Sequence, residues 1–130
     1  MNFDQAVATR LLDNAAVAAL VGTRVDWERL PQGSPMPAIV LTIVVDERPQ
    51  TYKGFHATRG TATQIDCYAA TKPGSVALRD AVLAAVVSPV TVGGVRFQQA
   101  QDVSLRRTYE KRDATERYRE IIDLTLWHNG

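Results

Sequence analysis

Apolar residues near the start of the chain recur every three or four positions. Between Asn2, which can serve as an N-cap, and Gly22, which can serve as a stop, this spacing predicts one helix. A second run of the same kind predicts a helix from about Ser75, as its N-cap, to Val87, with Pro89 ending it. The many alanines of the first helix make its packing face shallow, so another element can approach it closely.

Elsewhere apolar and polar residues alternate, which predicts strands. A short strand is expected over residues 24–30 and a half-buried strand over residues 61–69. Gly93 and Gly94 separate two β-branched runs and predict a two-residue hairpin. The final strand is expected over residues 118–129, with its inward side chains at Ile122, Leu124 and Leu126.

A stiff segment precedes the most apolar run of the chain. Pro31, Pro35 and Pro37 lack backbone donors, so this segment cannot pair as a central strand and is predicted to be a connector. Residues 38–46 follow with apolar side chains at nearly every position, which predicts a strand covered on both faces. A rigid connector fixes the register of that strand, and it can present a constant shape to a partner.

The order of elements is a helix, two strands, a long loop, a strand, a helix and three strands in a meander. This order predicts an α+β fold in a single domain over residues 1–130, with a largely antiparallel sheet and two helices packed on one face. The long loop spans residues 47–60. Loops of this length inside a compact domain are usually functional or mobile.

Composition and charge argue against several functions. The formal net charge is +1, which gives no global reason for nonspecific nucleic-acid binding. Cys67 is the single cysteine, and His56 and His128 lack metal-ligand spacing, so no disulfide or metal site is predicted. No paired carboxylates or phosphate-binding loop indicate an enzyme or a cofactor site. No signal peptide is predicted, and no apolar run reaches the roughly 20 residues of a membrane span.

Basic residues cluster late in the chain, around a polar turn predicted at residues 111–117. The cluster is interleaved with Tyr109 and Tyr118 and consists of Arg106, Arg107, Lys111, Arg112, Arg117 and Arg119. Such a hairpin can contact phosphates. Four carboxylates largely cancel its charge, namely Glu110, Asp113, Glu116 and Glu120. The segment therefore favours a solvated or salt-bridged hairpin or subunit contact, with a small cytoplasmic nucleic-acid- or protein-binding module using Arg106 to Arg119 as the alternative.

Several stretches together resemble a known family. They are "AALVGTRV" at the end of the first helix, "LPQGSPMPAIVLTIV", "TQIDCYA", "SVALRDAVLAAV" and the late strand "RYREIIDLTL". This pattern is similar to the tail-completion or tail-terminator proteins of long-tailed double-stranded DNA phages and phage-derived particles such as prophages and gene transfer agents. The proline segment is its most specific part, although Met36 stands where leucine is expected.

The resemblance implies a structural virion protein without enzymatic activity or a cofactor. It implies a homo-hexameric ring that caps the tail tube protein, stops tail polymerisation and joins the tail to the head-completion, or stopper, protein. DNA would pass through the lumen without specific binding. Assembly would take place in the bacterial host cytoplasm, away from the membrane, and the protein would end at the head-tail interface of the particle.

The resemblance also gives the exposed segments roles as contact surfaces. The candidate contact residues are Pro31, Pro35 and Pro37 in the connector, Tyr52, Lys53, Phe55, His56 and Arg59 in the exposed loop, and Arg106, Arg107, Arg112 and Arg117 in the hairpin.

Overall fold

The computed structural model describes residues 1–48, 50–52, 54–55, 58–112 and 115–130. The helices in these ranges are α1 (Phe3–Leu12), α2 (Ala15–Val21) and α3 (Lys72–Val86). The strands are β1 (Val25–Trp27), β2 (Ala38–Asp46), β3 (Gln50–Thr51), β4 (Gly54–Phe55), β5 (Arg59–Ala69), β6 (Val90–Val92), β7 (Val95–Phe97), β8 (Gln101–Arg112) and β9 (Thr115–His128). Among the described residues, no helix is long and apolar enough to cross a membrane.

Most of the described strands form one sheet. Its order is β1-β2-β5-β9-β7-β6, and β8 also pairs with β9. The pair β1–β2 is parallel, and the other pairs in this sheet are antiparallel. Strands β3 and β4 form a separate two-stranded hairpin. The predicted α+β fold with a largely antiparallel sheet is therefore confirmed, and so is the Gly93–Gly94 hairpin between β6 and β7.

The first predicted helix is two helices. Helix α1 begins with a capping box between Asn2 and Gln5 and ends at Leu12. The side chain of Asn14 then accepts a hydrogen bond from the Val17 amide at 3.1 Å and caps α2. Asparagine competes with helical hydrogen bonds by bonding to nearby backbone groups, so Asn14 divides a continuous apolar pattern.

Helix α3 begins three residues before the predicted N-cap. The Thr71 hydroxyl accepts a hydrogen bond from the Gly74 amide at 3.1 Å and caps the helix. Pro73 lies in the first turn, where its missing amide hydrogen costs nothing. Ser75 is buried instead, and its hydroxyl donates to the Lys72 carbonyl at 2.8 Å. The prediction of two helices is thus corrected to the three that the described residues contain.

The connector over residues 28–37 is a crossover. Because β1 and β2 are adjacent and parallel, the chain must return from the end of one strand to the start of the other. The Arg24 side chain anchors the end of this crossover, since its Nε donates to the Pro37 carbonyl at 2.8 Å. The proline segment thus has a structural purpose that the sequence pattern alone did not reveal.

The helices pack on one face of the sheet and enclose the core. Side chains from α1 and α3 meet the predicted inward positions of the strands, which include Ile65, Cys67, Ile122, Leu124 and Leu126. Strand β2 is buried on both faces only from Ala38 to Leu41. Its second half leaves Val44 and Val45 half exposed, so the prediction of a strand covered throughout is wrong.

Candidate interaction surfaces

Strand β8 is an exposed edge of the sheet. Every side chain described in it, from Gln101 to Lys111, is exposed to solvent. One edge of β8 pairs with β9, and the other edge pairs with no strand in the described part of the chain. A long unpaired edge offers backbone donors and acceptors to another strand. The edge also carries apolar side chains exposed by 40 to 52%, namely Val103, Leu105 and Tyr109.

The opposite side of the sheet has a second free edge. Strand β1 covers β2 only as far as Leu41, whose carbonyl accepts a hydrogen bond from the Glu28 amide at 2.7 Å. Glu28 has a φ of 75°, and there the chain leaves the sheet. The outer edge of β2 from Thr42 to Asp46 therefore pairs with no strand among the described residues. Val44, exposed by 57%, lies at a bulge in this edge.

Two basic residues of the hairpin, Arg106 and Arg107, are paired with carboxylates of β9. The Arg106 Nε donates to Asp123 Oδ2 at 2.8 Å on one face of the sheet. On the other face, the Nε of Arg107 lies 3.3 Å from Glu120 Oε1. Glu120 is nearly fully buried and also contacts Arg79 of α3 at 3.5 Å. This pair of contacts connects the hairpin to the helical layer.

The far end of the hairpin projects beyond the sheet. Strand β5 reaches only as far as Tyr118 of β9, and residues Thr115 to Arg117 pair with β8 alone. Strand β8 reaches Arg112 and β9 begins at Thr115, so both strands extend into the turn that was predicted at residues 111–117. The Arg117 guanidinium lies 5.8 Å from the centre of the Tyr68 ring. The side chain of Arg112 is outside the described part of the structure.

The face of the sheet opposite the described helices carries a polar network. Its centre is Asp66, which accepts a hydrogen bond from Gln64 Nε2 at 3.0 Å. Burial raises the pKa of the Asp66 carboxyl. Gln64 also accepts from Arg106 at 3.4 Å, and Arg119 donates to the Tyr68 hydroxyl at 3.2 Å. Opposite charges thus lie side by side on this face, and neither sign dominates it.

Comparison with known families shows which protein family has this fold. The family model described as tail completion protein gp17 matches residues 5–128. The chain belongs to this tail completion family. A chain from a structure titled "Virion of native gene transfer agent (GTA) particle" matches with a TM-score of 0.64 and 20% sequence identity, over 98% of this chain and 95% of that chain. It shares the fold. No curated protein matches significantly.

The family membership confirms the resemblance found in the sequence. A tail completion protein is a structural component of a phage-type tail, and the family is not one of enzymes. The surfaces described above are therefore considered as protein contacts rather than as reaction sites.

The loop of this tail completion protein begins and ends at an ion-paired base. Asp46 lies 2.7 Å from Arg48 and 3.3 Å from Arg59. Arg59 was predicted to be an exposed loop residue, but it belongs to β5 and its side chain is only 17% exposed. Its ion pair with Asp46 holds the two ends of the loop together.

The other predicted loop contacts lie further out. Tyr52 is fully exposed. Phe55 lies in β4, and its side chain is not described. Lys53 and His56 lie outside the described residues. Between the clamped ends, the loop therefore presents at least one aromatic side chain to solvent.

The prolines of the connector lie at the surface of the tail completion protein. Pro31 and Pro35 are exposed, and Pro37 is half-buried and follows a cis peptide bond. A turn brings the Ser34 amide within 3.1 Å of the Pro31 carbonyl, with Gly33 at a φ of 75°. The connector is thus exposed in the middle and anchored by Arg24 at its end.

Two residues with potential reactivity lie in the core. Cys67 is fully buried, and burial raises the pKa of its thiol, as its interpretation as a small apolar residue predicts. His128 is also fully buried and stacks on Phe3 with 4.2 Å between ring centres. Its Nδ1 accepts from the Gly130 amide, so Nε2 carries the proton and donates to Thr61 Oγ1 at 2.7 Å. Burial lowers the pKa of His128 to about 4.

Sequence analysis missed the free edges of β2 and β8. A register shift occurs in β2 between Ile43 and Val45. Residues 38–46 are apolar at nearly every position, so the adjacent valines gave no signal for this bulge or for the edge of β2. No signal marks the edge of β8 either, because its alternating pattern is the same as that of a strand buried on one face.

Proposed function

We propose that this tail completion protein forms a hexameric ring on the last ring of the tail tube. The ring ends tail polymerisation and presents its other face to the head-completion protein. The observation that carries the proposal is the family match over residues 5–128, which spans nearly the whole chain. Two free sheet edges on opposite sides of one subunit give additional support, because a cyclic ring needs two different contact surfaces on each subunit.

The charge distribution supports passage of DNA without tight binding. Arg106 and Arg107 are paired with carboxylates of β9, and the helix-free face carries both signs of charge. A channel lined by such surfaces neutralises few phosphates and so does not retain DNA strongly. The same pairing weakens the alternative of a nucleic-acid-binding module that uses the basic hairpin. A steep salt dependence of DNA binding by the isolated protein would favour that alternative.

Loss of the gene provides the direct test of the proposal. In the organism that makes the particles, deletion is expected to leave DNA-filled heads beside overlong or unattached tails, counted by electron microscopy. Restoring the gene from a plasmid should restore joined particles. Normal joined particles in the deletion strain would exclude both termination and joining as roles of this protein.

The loop and the connector are proposed contacts with neighbouring proteins of the particle. The fully exposed Tyr52 supports a contact by the loop, because aromatic side chains are frequent anchors of protein interfaces. Replacing residues 50–57 by a short glycine-serine link leaves the Asp46–Arg59 pair in place. We expect this variant to unfold at the same temperature as the natural chain and to yield unjoined heads and tails.

A loop of unchanged length, in which residues 50–57 are all glycine or serine, is the matched control. If side chains make the contact, this control fails in the same way as the shortened loop. If the control assembles normally, the side chains at these positions make no essential contact. Normal assembly with the shortened loop as well would exclude the loop as a joining surface.

A further inference from the structure

The free edges of β2 and β8 run in opposite directions. Strands β2, β5, β9 and β8 lie side by side, and each is antiparallel to the next. With four alternating strands, the last one, β8, runs opposite to the first one, β2. A second copy rotated about an axis along the strands presents its β2 in the same direction as the first copy's β2. Its β2 is then antiparallel to the β8 that it meets.

We propose that the free edge of β8 in one copy pairs antiparallel with the free edge of β2, residues 42–46, in the next copy. The proposal rests on the ring proposed above and identifies its subunit contact. When every subunit makes this contact, the strands alternate in direction all the way around the ring, and the sheets of the subunits join into one closed antiparallel sheet. Pairing of strand edges also uses backbone groups that would otherwise bond only to water.

Exposed apolar side chains support these two edges as the contact. Among the described residues, eight large apolar side chains are exposed, and five of them lie on these edges. They are Val44 and Val45 on β2, and Val103, Leu105 and Tyr109 on β8. Burial of such side chains by a neighbour is favourable in proportion to the apolar area covered. The remaining three are Met1, Tyr52 and Val90, and Val90 lies on β6, the short strand that ends the sheet beyond β7.

The charges of the two edges are complementary. Over its whole length, Gln101–Arg112, β8 has four basic residues and two acidic ones, and two of the basic residues, Arg106 and Arg107, are already paired with carboxylates of β9. On the other side, the β2 edge carries Asp46, and the neighbouring residues 26–29 and 47–48 add three acidic residues and two basic ones. Opposite charge favours contact between different edges and disfavours pairing of β8 with the β8 of another copy. These charges therefore favour the β2 edge of a second copy as the partner of β8.

Cysteine cross-linking tests the pairing on the purified full chain. One variant carries Val44→Cys, and a second, isotope-labelled variant carries Val103→Cys, Leu105→Cys or Tyr109→Cys. All these positions are exposed, whereas the natural Cys67 is fully buried. The two variants are mixed at high concentration and oxidised. Mass spectrometry of the intact dimers then distinguishes mixed dimers, which join the two variants, from same-site dimers, which join two copies of one variant. A disulfide requires Cα atoms within about 7 Å, so only paired positions cross-link efficiently.

We expect at least one β2–β8 combination to give mixed dimers in about tenfold excess over either same-site dimer, because edge pairing holds the two sulfurs close together. The matched control replaces the β8 cysteine by Ala84→Cys, an exposed position on α3, and should give only the statistical proportion. Statistical proportions for every β8 position would overturn the proposal. A predominance of β8–β8 dimers would also overturn it and would indicate a two-fold contact.

This result is independent of the role in the particle. Cross-links between the edges together with normal particles from the deletion strain would exclude the joining role and leave the edge pairing intact. Statistical cross-links together with unjoined particles would support joining through a ring held by other surfaces.

Discussion

Strands β5 and β8 flank the same strand, β9, but their surroundings differ completely. Every described side chain of β5 is buried or half-buried, and every described side chain of β8 is exposed. Both strands pair antiparallel with β9, β5 at eleven positions and β8 at ten. Burial of apolar side chains therefore stabilises β5, while β8 depends on backbone hydrogen bonds and on ion pairs to β9.

The difference shows that regular secondary structure and burial are separate properties in this fold. Soluble proteins usually shorten, charge or cover an edge strand to avoid unwanted pairing. Here β8 keeps about 40 Å of edge, at roughly 3.4 Å per residue, and carries apolar side chains along it. Such an edge is unfavourable in an isolated monomer and favourable in an assembly that covers it.

The largest expected effect contrasts two side chains at the same level of the sheet. Ile65 of β5 and Leu105 of β8 both lie opposite Ile122, on either side of it. Ile65 is fully buried, so Ile65→Ala should lower the free energy of unfolding by about 3 to 4 kcal/mol through lost apolar burial and a residual cavity. Leu105 is 45% exposed, so Leu105→Ala should lower it by less than about 1 kcal/mol.

Urea unfolding of the purified monomer measures both variants under the same conditions. The two variants remove apolar side chains of equal size, so Leu105→Ala serves as the matched control for Ile65→Ala. Similar losses in the two variants would mean that β8 packs against the core, and the contrast between the strands would then be wrong. In an assembled ring, Leu105→Ala should destabilise the assembly more than it destabilises the monomer, because the neighbouring subunit covers that edge.

Where apolar residues face one core, their pattern predicted the fold well. The inward positions Ile65, Cys67, Ile122 and Leu124 were predicted correctly, because one-sided burial requires alternation. The division between α1 and α2 was missed, because Asn14 changes hydrogen bonding without interrupting the apolar pattern. The start of α3 was misplaced, because Thr71 and Ser75 are both suitable N-caps and only tertiary packing buries Ser75.

The candidate contact surfaces were predicted only in part. The hairpin arginines were found, and the ion pairs that Arg106 and Arg107 make are consistent with the charges of the segment. Arg59 was misassigned because a strand boundary cannot be read from a polar sequence. The free edge of β2 depends on where β1 ends, and β1 is only three residues long. Its end is fixed by long-range pairing, which local sequence does not encode.

A smaller effect concerns the buried end of β9. His128 is fully buried, and burial lowers its pKa to about 4 in the folded protein, whereas histidine in an unfolded chain titrates near 6.5. Below pH 6.5 the unfolded chain therefore binds the proton first, and acidification favours unfolding. We expect the free energy of unfolding to fall by up to about 3 kcal/mol between pH 7 and pH 4 from this residue.

Comparison with His128→Gln isolates this contribution. Glutamine can still donate to Thr61 but does not titrate. Asp66, whose raised pKa has the opposite effect on acidification, is present in both proteins and cancels in the difference. The natural chain should lose more stability than the variant as the pH falls from 7 to 4, measured by urea unfolding at each pH. Parallel pH profiles would show that His128 is as accessible to protons as an unfolded histidine.

The smallest effect compares the two ion pairs that fasten β8 to β9. Glu120 is nearly fully buried between Arg79 and Arg107, so Glu120→Gln should lower the free energy of unfolding by about 2 kcal/mol, because it removes a charge that two guanidinium groups share. Asp123 pairs with the half-exposed Arg106 on the other face, so Asp123→Asn, the matched control, should leave the unfolding midpoint nearly unchanged.

Urea unfolding at low salt and at high salt distinguishes the two pairs, since solvent ions screen the exposed pair far more than the buried one. Equal losses for the two variants would mean that β8 is held equally from both faces. A loss confined to Glu120 would mean that ion pairing stabilises the hairpin only on the side that faces the helices.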